Sequence, residues 1–260
     1  MTCTGALSDV SLVVITLNEE DNLDRCLASA SGVGEIIVVD SFSEDRTVEI
    51  ARRYGAKVSQ RPFVSAADQK NQAIGMADHS WILLLDADEA LSPELRLEIE
   101  EAVLAPRADG YAIRRRSEFL GTVIRHCGWG GDRVVRLFRR GKGRYPETAV
   151  HERLALDGSV ARLVGVIEHR PYRSLSDYVD RMESYSRRGA VELRRKNRSW
   201  FPAIVTHPAA RFVRMYLIQL GFLDGAAGFV LCMLAATSVF YKYAALRELS
   251  ASVEPKEGGG

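Results

Sequence analysis

The first third of the chain alternates short apolar blocks with amphipathic stretches. Ser11–Leu17, Glu35–Asp40 and Trp81–Leu85 are nearly continuous runs of Val, Ile and Leu, the pattern of strands covered on both faces. Between them the period lengthens. Leu23, Leu27 and Ala30 recur at helical spacing within Glu20–Ala30, and Asp45–Tyr54 and Ala66–Ala77 read as further helices, the former capped by Ser43. Lys57–Gln60 is a short strand. Ser92-Pro93-Glu94 opens another helix, with Ser as N-cap, Pro at the first helical position and an acid in the first turn. This strand–helix order predicts an α/β fold, a Rossmann-like parallel sheet with helices on both faces. In such sheets ligands bind beyond the carboxyl ends of the strands.

The middle third reads differently. Tyr111–Arg116, Arg133–Arg139 and Val160–Glu168 form strand-like runs separated by loops rich in Gly, Trp, His and Arg, and Ser174–Lys196 is a strongly charged helix. Past Trp200 the composition shifts: Met215–Tyr241 holds a single charged residue, Asp224. Gly221 and Gly225 interrupt that run, and each half is too short to span about 30 Å of hydrocarbon as a helix. Arg211 and Arg214 precede it and Lys242 and Arg247 follow, and basic flanks prefer the cytoplasmic side. The expectation is an in-plane or re-entrant helical pair at the cytoplasmic face of the inner membrane, peripheral or monotopic. A single tilted span and a buried core helix pair are the alternatives. Met1–Val10 lacks the basic start and long apolar stretch of an export signal. The expected division is a nucleotide-binding half over 1–110, an acceptor-binding and catalytic half over 111–200, a membrane-associating helical region over 201–250, and a flexible tail over 251–260.

Composition narrows the function. A formal charge of +1 provides no global field for nucleic acid. The four cysteines are scattered without a CxxC pair, which argues against a zinc knuckle or thioredoxin-type site and fits free thiols in a reducing cytosol. No Gly-x-Gly-x-x-Gly follows the first strand and no Gly-Lys-Ser/Thr loop occurs, which argues against dinucleotide and P-loop folds. Three polar groups sit where strands end: Thr16, Asn18 and Glu19; Asp40 and Ser41; Asp86, Ala87 and Asp88. Strand ends of a parallel sheet share one rim. There, two carboxylates spaced i, i+2 suit a hard divalent cation, Mg²⁺ or Mn²⁺, completed by substrate phosphate oxygens.

Four motifs carry a resemblance. Val14-Ile15-Thr16-Leu17-Asn18-Glu19-Glu20, Ile36-Ile37-Val38-Val39-Asp40-Ser41, Lys70-Asn71-Gln72-Ala73-Ile74 and Leu84-Leu85-Asp86-Ala87-Asp88-Glu89 occur in order over about residues 11–100. With them the chain resembles family 2 glycosyltransferases of the GT-A fold. The second half resembles the branch containing lipopolysaccharide core β-glucosyltransferases through Gly128-Trp129, Arg136-Leu137-Phe138, Val150-His151-Glu152 and Glu168-His169. The resemblance implies that Thr16, Asn18, Glu19, Asp40, Lys70, Asn71, Asp86 and Ala87 line a nucleotide-sugar donor, with Asp86 and Asp88 flanking metal and diphosphate. It implies Glu152 as catalytic base and assigns Trp129, Arg136 and His151 to the acceptor side. Two departures stand out: His151-Glu152 replaces a pair of carboxylates, and Asp40-Ser41 occurs where two acids are common.

Plainer roles compete with these. Asp40 can cap a turn, Lys70 can be a solvated charge, Trp129 can be core, and Arg136 can lie on the solvent face of its strand. His169 is either a structural histidine or a third metal ligand from a distant segment. The function these residues imply is inverting transfer of a sugar from a nucleotide donor, a UDP-sugar, to a lipid-linked glycan or lipid carrier at a membrane surface. A metal-dependent nucleotidyltransferase and a catalytically inactive membrane scaffold are the rivals.

Overall fold

The computed structural model describes residues 5–146 and 153–251. The first half contains β1 (Val10–Thr16), α1 (Leu23–Ser29), β2 (Glu35–Asp40), α2 (Thr47–Arg53), β3 (Lys57–Gln60), α3 (Ala66–Gly75), β4 (Trp81–Asp86), β5 (Glu89–Leu91) and α4 (Pro93–Leu104). There follow β6 (Gly110–Phe119), β7 (Thr122–Val123), β8 (Arg133–Arg139), β9 (Gly143–Arg144), β10 (Ala155–Leu156) and β11 (Val160–His169). The chain ends in α5 (Leu175–Arg195), α6 (Ala203–Val213) and α7 (Gly225–Ala251).

It divides into two compact units, Met1–Arg116 with Gly131–His169, and Ser117–Gly130 with Arg170–Gly260. These limits do not coincide with the boundaries expected at 110 and 200. The chain leaves the first unit for a short excursion, Ser117–Gly130, that no change of composition announces.

The first unit is built on a sheet of order β3-β2-β1-β4-β8-β6-β11-β5. Strands β3, β2, β1 and β4 are parallel. Strand β8 runs antiparallel to β4, β6 to β8, and β5 to β11. The parallel arrangement expected from the sequence is thus confined to the first four strands. Parallel neighbours need a crossover of about a dozen residues or more, which helices supply there. Among the described residues no helix separates β6, β8 and β11, and the sheet becomes mixed.

Both faces of the central strands are covered. Leu12, Val14, Val38, Leu83 and Leu85 pack with Leu23, Leu27, Leu95 and Ile99, whereas Val13, Ile37, Val39, Ile82 and Leu84 pack with Ala67, Ala73 and Phe138. Successive residues therefore enter opposite cores, which is why these strands read as unbroken apolar runs. Helix α4 starts as expected, with Ser92 Oγ accepting the Leu95 N–H at 3.2 Å and Pro93 at its first position. Helix α2 does not: Arg46 precedes it without a side-chain cap, and Ser43 turns instead to Asp40.

The second unit is helical. Phe119, Ile124, Cys127, Tyr178, Met215, Leu231 and Cys232 form its main core. A π-helical turn, Arg214–Ile218, and a 3-10 turn, Gly221–Asp224, separate α6 from α7. The expected pair of short apolar halves is corrected here. Helix α7 runs unbroken for 27 residues, about 40 Å, because it continues past Tyr241 through Lys242, Arg247 and Glu248. Gly221–Ala251 is the one helical segment among the described residues long and apolar enough to cross a membrane.

Candidate active site

Register places the polar strand ends on one rim. Thr16 pairs with Asp40 across β1 and β2, and Ile15 with Asp86 across β1 and β4. Asp40 is fully buried. Its Oδ1 accepts from Thr16 Oγ1 at 2.9 Å and Ser43 Oγ at 2.5 Å, and its Oδ2 from Ser43 N at 2.9 Å and Gln60 Nε2 at 3.0 Å. A carboxylate has about four acceptor positions, so Asp40 ties the loop after β2 to β1 and β3 and offers a ligand no vacant lone pair in this conformation.

Asn18 continues this stitching. Its backbone is left-handed at φ 55°, its N–H donates to Ser43 Oγ at 2.8 Å, and its Oδ1 accepts from Glu44 N at 2.9 Å. The Glu19 N–H donates to Thr47 Oγ1 at 2.7 Å, and Asn22 Nδ2 donates to Glu19 Oε2 at 2.8 Å. The two loops thus form one cross-bonded wall that brings Thr16, Asn18, Glu19 and Asp40 together.

Below the end of β4 lies a buried charge array. Lys70 Nζ is 3.0 Å from Asp86 Oδ1, and Arg136 Nη2 donates to Asp86 Oδ2 at 2.5 Å and to Glu89 Oε1 at 2.8 Å. Glu89 Oε2 accepts the Asp86 N–H at 3.0 Å, Arg115 Nη1 approaches Glu89 Oε1 at 3.4 Å, and Arg115 also pairs with Asp132. Burial alone would raise the Asp86 carboxyl, but the charges of Arg136 and Lys70 outweigh it and hold the group far below the usual carboxylate range. Arg136 is raised well above its ordinary value because Asp86 and Glu89 more than offset its burial.

Two expected site residues are held by partners of their own. Arg136 is only 3% exposed, so it does not lie on a solvent face, and it is locked between two carboxylates. Asn71 clamps a backbone: its Nδ2 donates to Tyr145 O at 2.8 Å and its Oδ1 accepts from Tyr145 N at 2.9 Å. That clamp sets the Tyr145 ring 5.3 Å from Lys70 Nζ. Glu89, Arg115 and Tyr145 were not singled out in the sequence. Glu89 was visible as the last residue of the Asp86-Ala87-Asp88-Glu89 motif; the other two had no local signal.

Asp88 is different. The antiparallel pairing of β11 with β5 sets His169 opposite Glu89, which brings His169 Nε2 to 3.5 Å from Asp88 Oδ2. Asp88 Oδ1 is buried and has no hydrogen-bond partner among the described residues. Arg25 Nη2 fixes the local backbone by donating to Asp88 O at 2.7 Å. A carboxylate with an orphaned buried oxygen beside an imidazole fits a divalent cation that takes its remaining ligands from phosphate. The expected trio of Asp86, Asp88 and His169 is not gathered: no three such side chains among the described residues are placed to hold a metal, because Asp86 is engaged by Lys70 and Arg136. Ala87, between the two acids, is 4% exposed.

In the second unit Trp129 is partly buried, edge-on to Phe119 with ring centroids 6.4 Å apart. His151 and Glu152 lie outside the described residues.

Residues 11–152 match the family described as Glycosyl transferase family 2. The chain belongs to that family. It is a glycosyltransferase with a GT-A fold. Family relatives extend over nearly its whole length. An uncharacterised glycosyltransferase of Rickettsia typhi is 29% identical over 94% of this chain and 88% of its own. A lipopolysaccharide core biosynthesis glycosyltransferase, LpsC, of Rhizobium meliloti is 29% identical over 90% of this chain and 93% of its own. Among solved structures, S. aureus TarS 1-349 in complex with UDP-GlcNAc aligns with a TM-score of 0.51 at 13% identity, over 94% of this chain and 92% of that one. At that identity the likeness is one of fold.

Proposed function

We propose that this family 2 glycosyltransferase moves a sugar, with inversion, from a UDP-linked donor to a lipid-linked glycan such as the lipopolysaccharide core, or to a lipid carrier, at the cytoplasmic face of the inner membrane. The observation that carries the reading is Asp88, whose buried Oδ1 has no partner among the described residues, beside His169 at the rim where β1, β2 and β4 end. The UDP-GlcNAc held by the related fold supports a UDP donor, and the LpsC relative supports a lipopolysaccharide-type acceptor.

In this reading the wall formed by Thr16, Asn18, Glu19 and the loop tied to Asp40 borders the nucleotide. Asp88 and His169 would hold a divalent cation, which would supply positive charge against the departing diphosphate. Asp86 fixes Lys70 at the same rim. Glu152 takes the proton from the acceptor hydroxyl as that oxygen attacks the anomeric carbon from the face opposite the diphosphate. Such proton transfer contributes typically 10²–10⁴-fold. A single displacement of this kind inverts the anomeric configuration.

A thermal-shift panel of nucleotide sugars with Mg²⁺ or Mn²⁺ tests the donor. A ligand at 100 times its dissociation constant adds about 2.7 kcal/mol, so a cation-dependent rise in Tm with a UDP-sugar supports the reading. No shift with any nucleotide sugar at saturating cation overturns it.

A further inference from the structure

The second unit concentrates apolar exposure at one corner. Between α6 and α7, Leu217, Ile218, Leu220, Phe222 and Leu223 are 53, 73, 43, 45 and 57% exposed. The patch continues onto α6 through Val205 and Val213 and onto α7 through Phe229 and Met233, four residues apart on one face and also exposed. Soluble surfaces rarely gather so many large apolar side chains without a partner. The inner side of the corner is packed instead, with Met215 and Gly221 buried against Cys127 and Cys232.

The one acid in this stretch faces inward. Asp224 accepts the Arg125 and His126 N–H groups at 3.2 and 2.8 Å and pairs with His126 Nδ1 at 2.9 Å. Among the described residues the outer surface of the corner therefore carries no acidic side chain. The unit as a whole is basic, holding 15 of the 35 Lys and Arg but 9 of the 34 Asp and Glu. Arg211 and Arg214 are exposed just ahead of the corner.

The length of α7 would suit a span, yet its middle is strapped to a charged helix. Ser186 Oγ of α5 donates to Ser238 O at 3.0 Å, Tyr241 OH donates to Glu183 at 2.7 Å, and Arg187 reaches Tyr241 OH at 3.1 Å and Glu248 at 3.7 Å. The Arg187 and Glu183 side chains are 54% and 47% exposed. A helix crossing a bilayer would carry these charges to mid-membrane, where they are strongly disfavoured.

We propose that the Leu217–Leu223 corner, with the adjoining faces of α6 and α7, inserts into the headgroup–acyl boundary of an anionic bilayer as a monotopic anchor that α7 does not extend across the membrane. This rests on the membrane-surface reading above and names the surface that meets the lipid. Exposed apolar side chains flanked by basic ones such as Arg211 and Arg214 are the chemistry of interfacial insertion. The anchor also carries the Trp129 loop. The Cys127 N–H donates to Gln219 O at 3.1 Å, and a Cβ on Gly128 would lie 2.7 Å from Gln219 Oε1. Seating the corner therefore seats that loop at the bilayer surface, where a lipid-linked acceptor resides.

The test uses the full chain and phosphatidylcholine vesicles with and without phosphatidylglycerol. Wild-type protein should float with the anionic vesicles. Leu217→Gln/Ile218→Gln/Leu223→Gln should partition about a hundredfold more weakly while its UDP-sugar thermal shift is unchanged. A polarity-sensitive fluorophore on Leu223→Cys should shift to the blue with vesicles, whereas one on Ser184→Cys of α5 should stay open to an aqueous quencher. Shielding at Ser184 would establish a span and overturn the proposal. So would vesicle binding unaltered in the triple variant, or a wild-type dimer that ignores vesicles and dissociates in that variant. Wild-type protein that ignores vesicles but binds a UDP-sugar sinks the anchor alone; protein that floats but binds no nucleotide sugar sinks the transferase reading alone.

Discussion

Asp88 Oδ2 and His169 Nε2 face one another at 3.5 Å, although the two residues belong to segments far apart in the chain. Since Asp88 Oδ1 has no described partner to lose, Asp88→Asn should leave the ligand-free stability within about 1 kcal/mol of wild type. Its Mn²⁺-dependent affinity for UDP should fall by about tenfold or more, and His169→Ala should weaken it in the same sense. Calorimetric titration of UDP with and without Mn²⁺ reads both. Wild-type affinity in Asp88→Asn would remove the residue from the metal site.

Asp86 should behave in the opposite way. Asp86→Asn leaves Lys70 and the buried Arg136 facing a neutral amide, and breaking a buried pair by removing one partner costs about 3–5 kcal/mol. Urea denaturation should show that loss without any ligand present. An unchanged midpoint would mean that the array contributes nothing to the fold.

Glu35 gives the acid side of the stability curve. Burial pushes its carboxyl up, but Lys57, the Ser11 hydroxyl and the Asp78 N–H outweigh it and bring it down to about 2. The ordinary value is 4.5, so the native form is the stronger acid. Its contribution is full above pH 4.5 and is lost as the pH falls toward 2. Glu35→Gln should flatten the decline in stability across that window. Identical slopes for variant and wild type would contradict the assignment.

Much of this architecture was legible in the residues. β2, β3 and β8 and the Ser92-Pro93 start of α4 matched to the residue, since short β-rich runs and capping chemistry are local signals. Glu89–Leu91 escaped because a three-residue strand has no period, yet its pairing with β11 is what brings His169 to Asp88. The polar strand ends were readable as a rim. Their partners were not: nothing near Arg136 or Asn71 announces that the first is locked to Asp86 and Glu89 or that the second clamps Tyr145. Those contacts depend on how distant strands are ordered in the sheet. The apolar run after Trp200 was plain, but its helix bounds were not, because α7 continues into charged sequence that packs on α5.

Glu152 is the proposed base, and its neighbour His151 is the chemical competitor for that role. Glu152→Gln should keep donor affinity while lowering turnover by about two orders of magnitude or more, and His151→Ala should cost less. Initial rates and donor affinities measured side by side decide it. A nearly active Glu152→Gln beside an inactive, donor-binding His151→Ala would transfer the role to the histidine.

The most direct test of the whole account is release of UDP from a UDP-sugar by the full chain, followed with and without Mn²⁺ and with and without a lipopolysaccharide-core acceptor. Release should require the cation, accelerate with the acceptor, and disappear in Asp88→Asn. Pyrophosphate release from a nucleoside triphosphate, with no turnover of any nucleotide sugar, would contradict it.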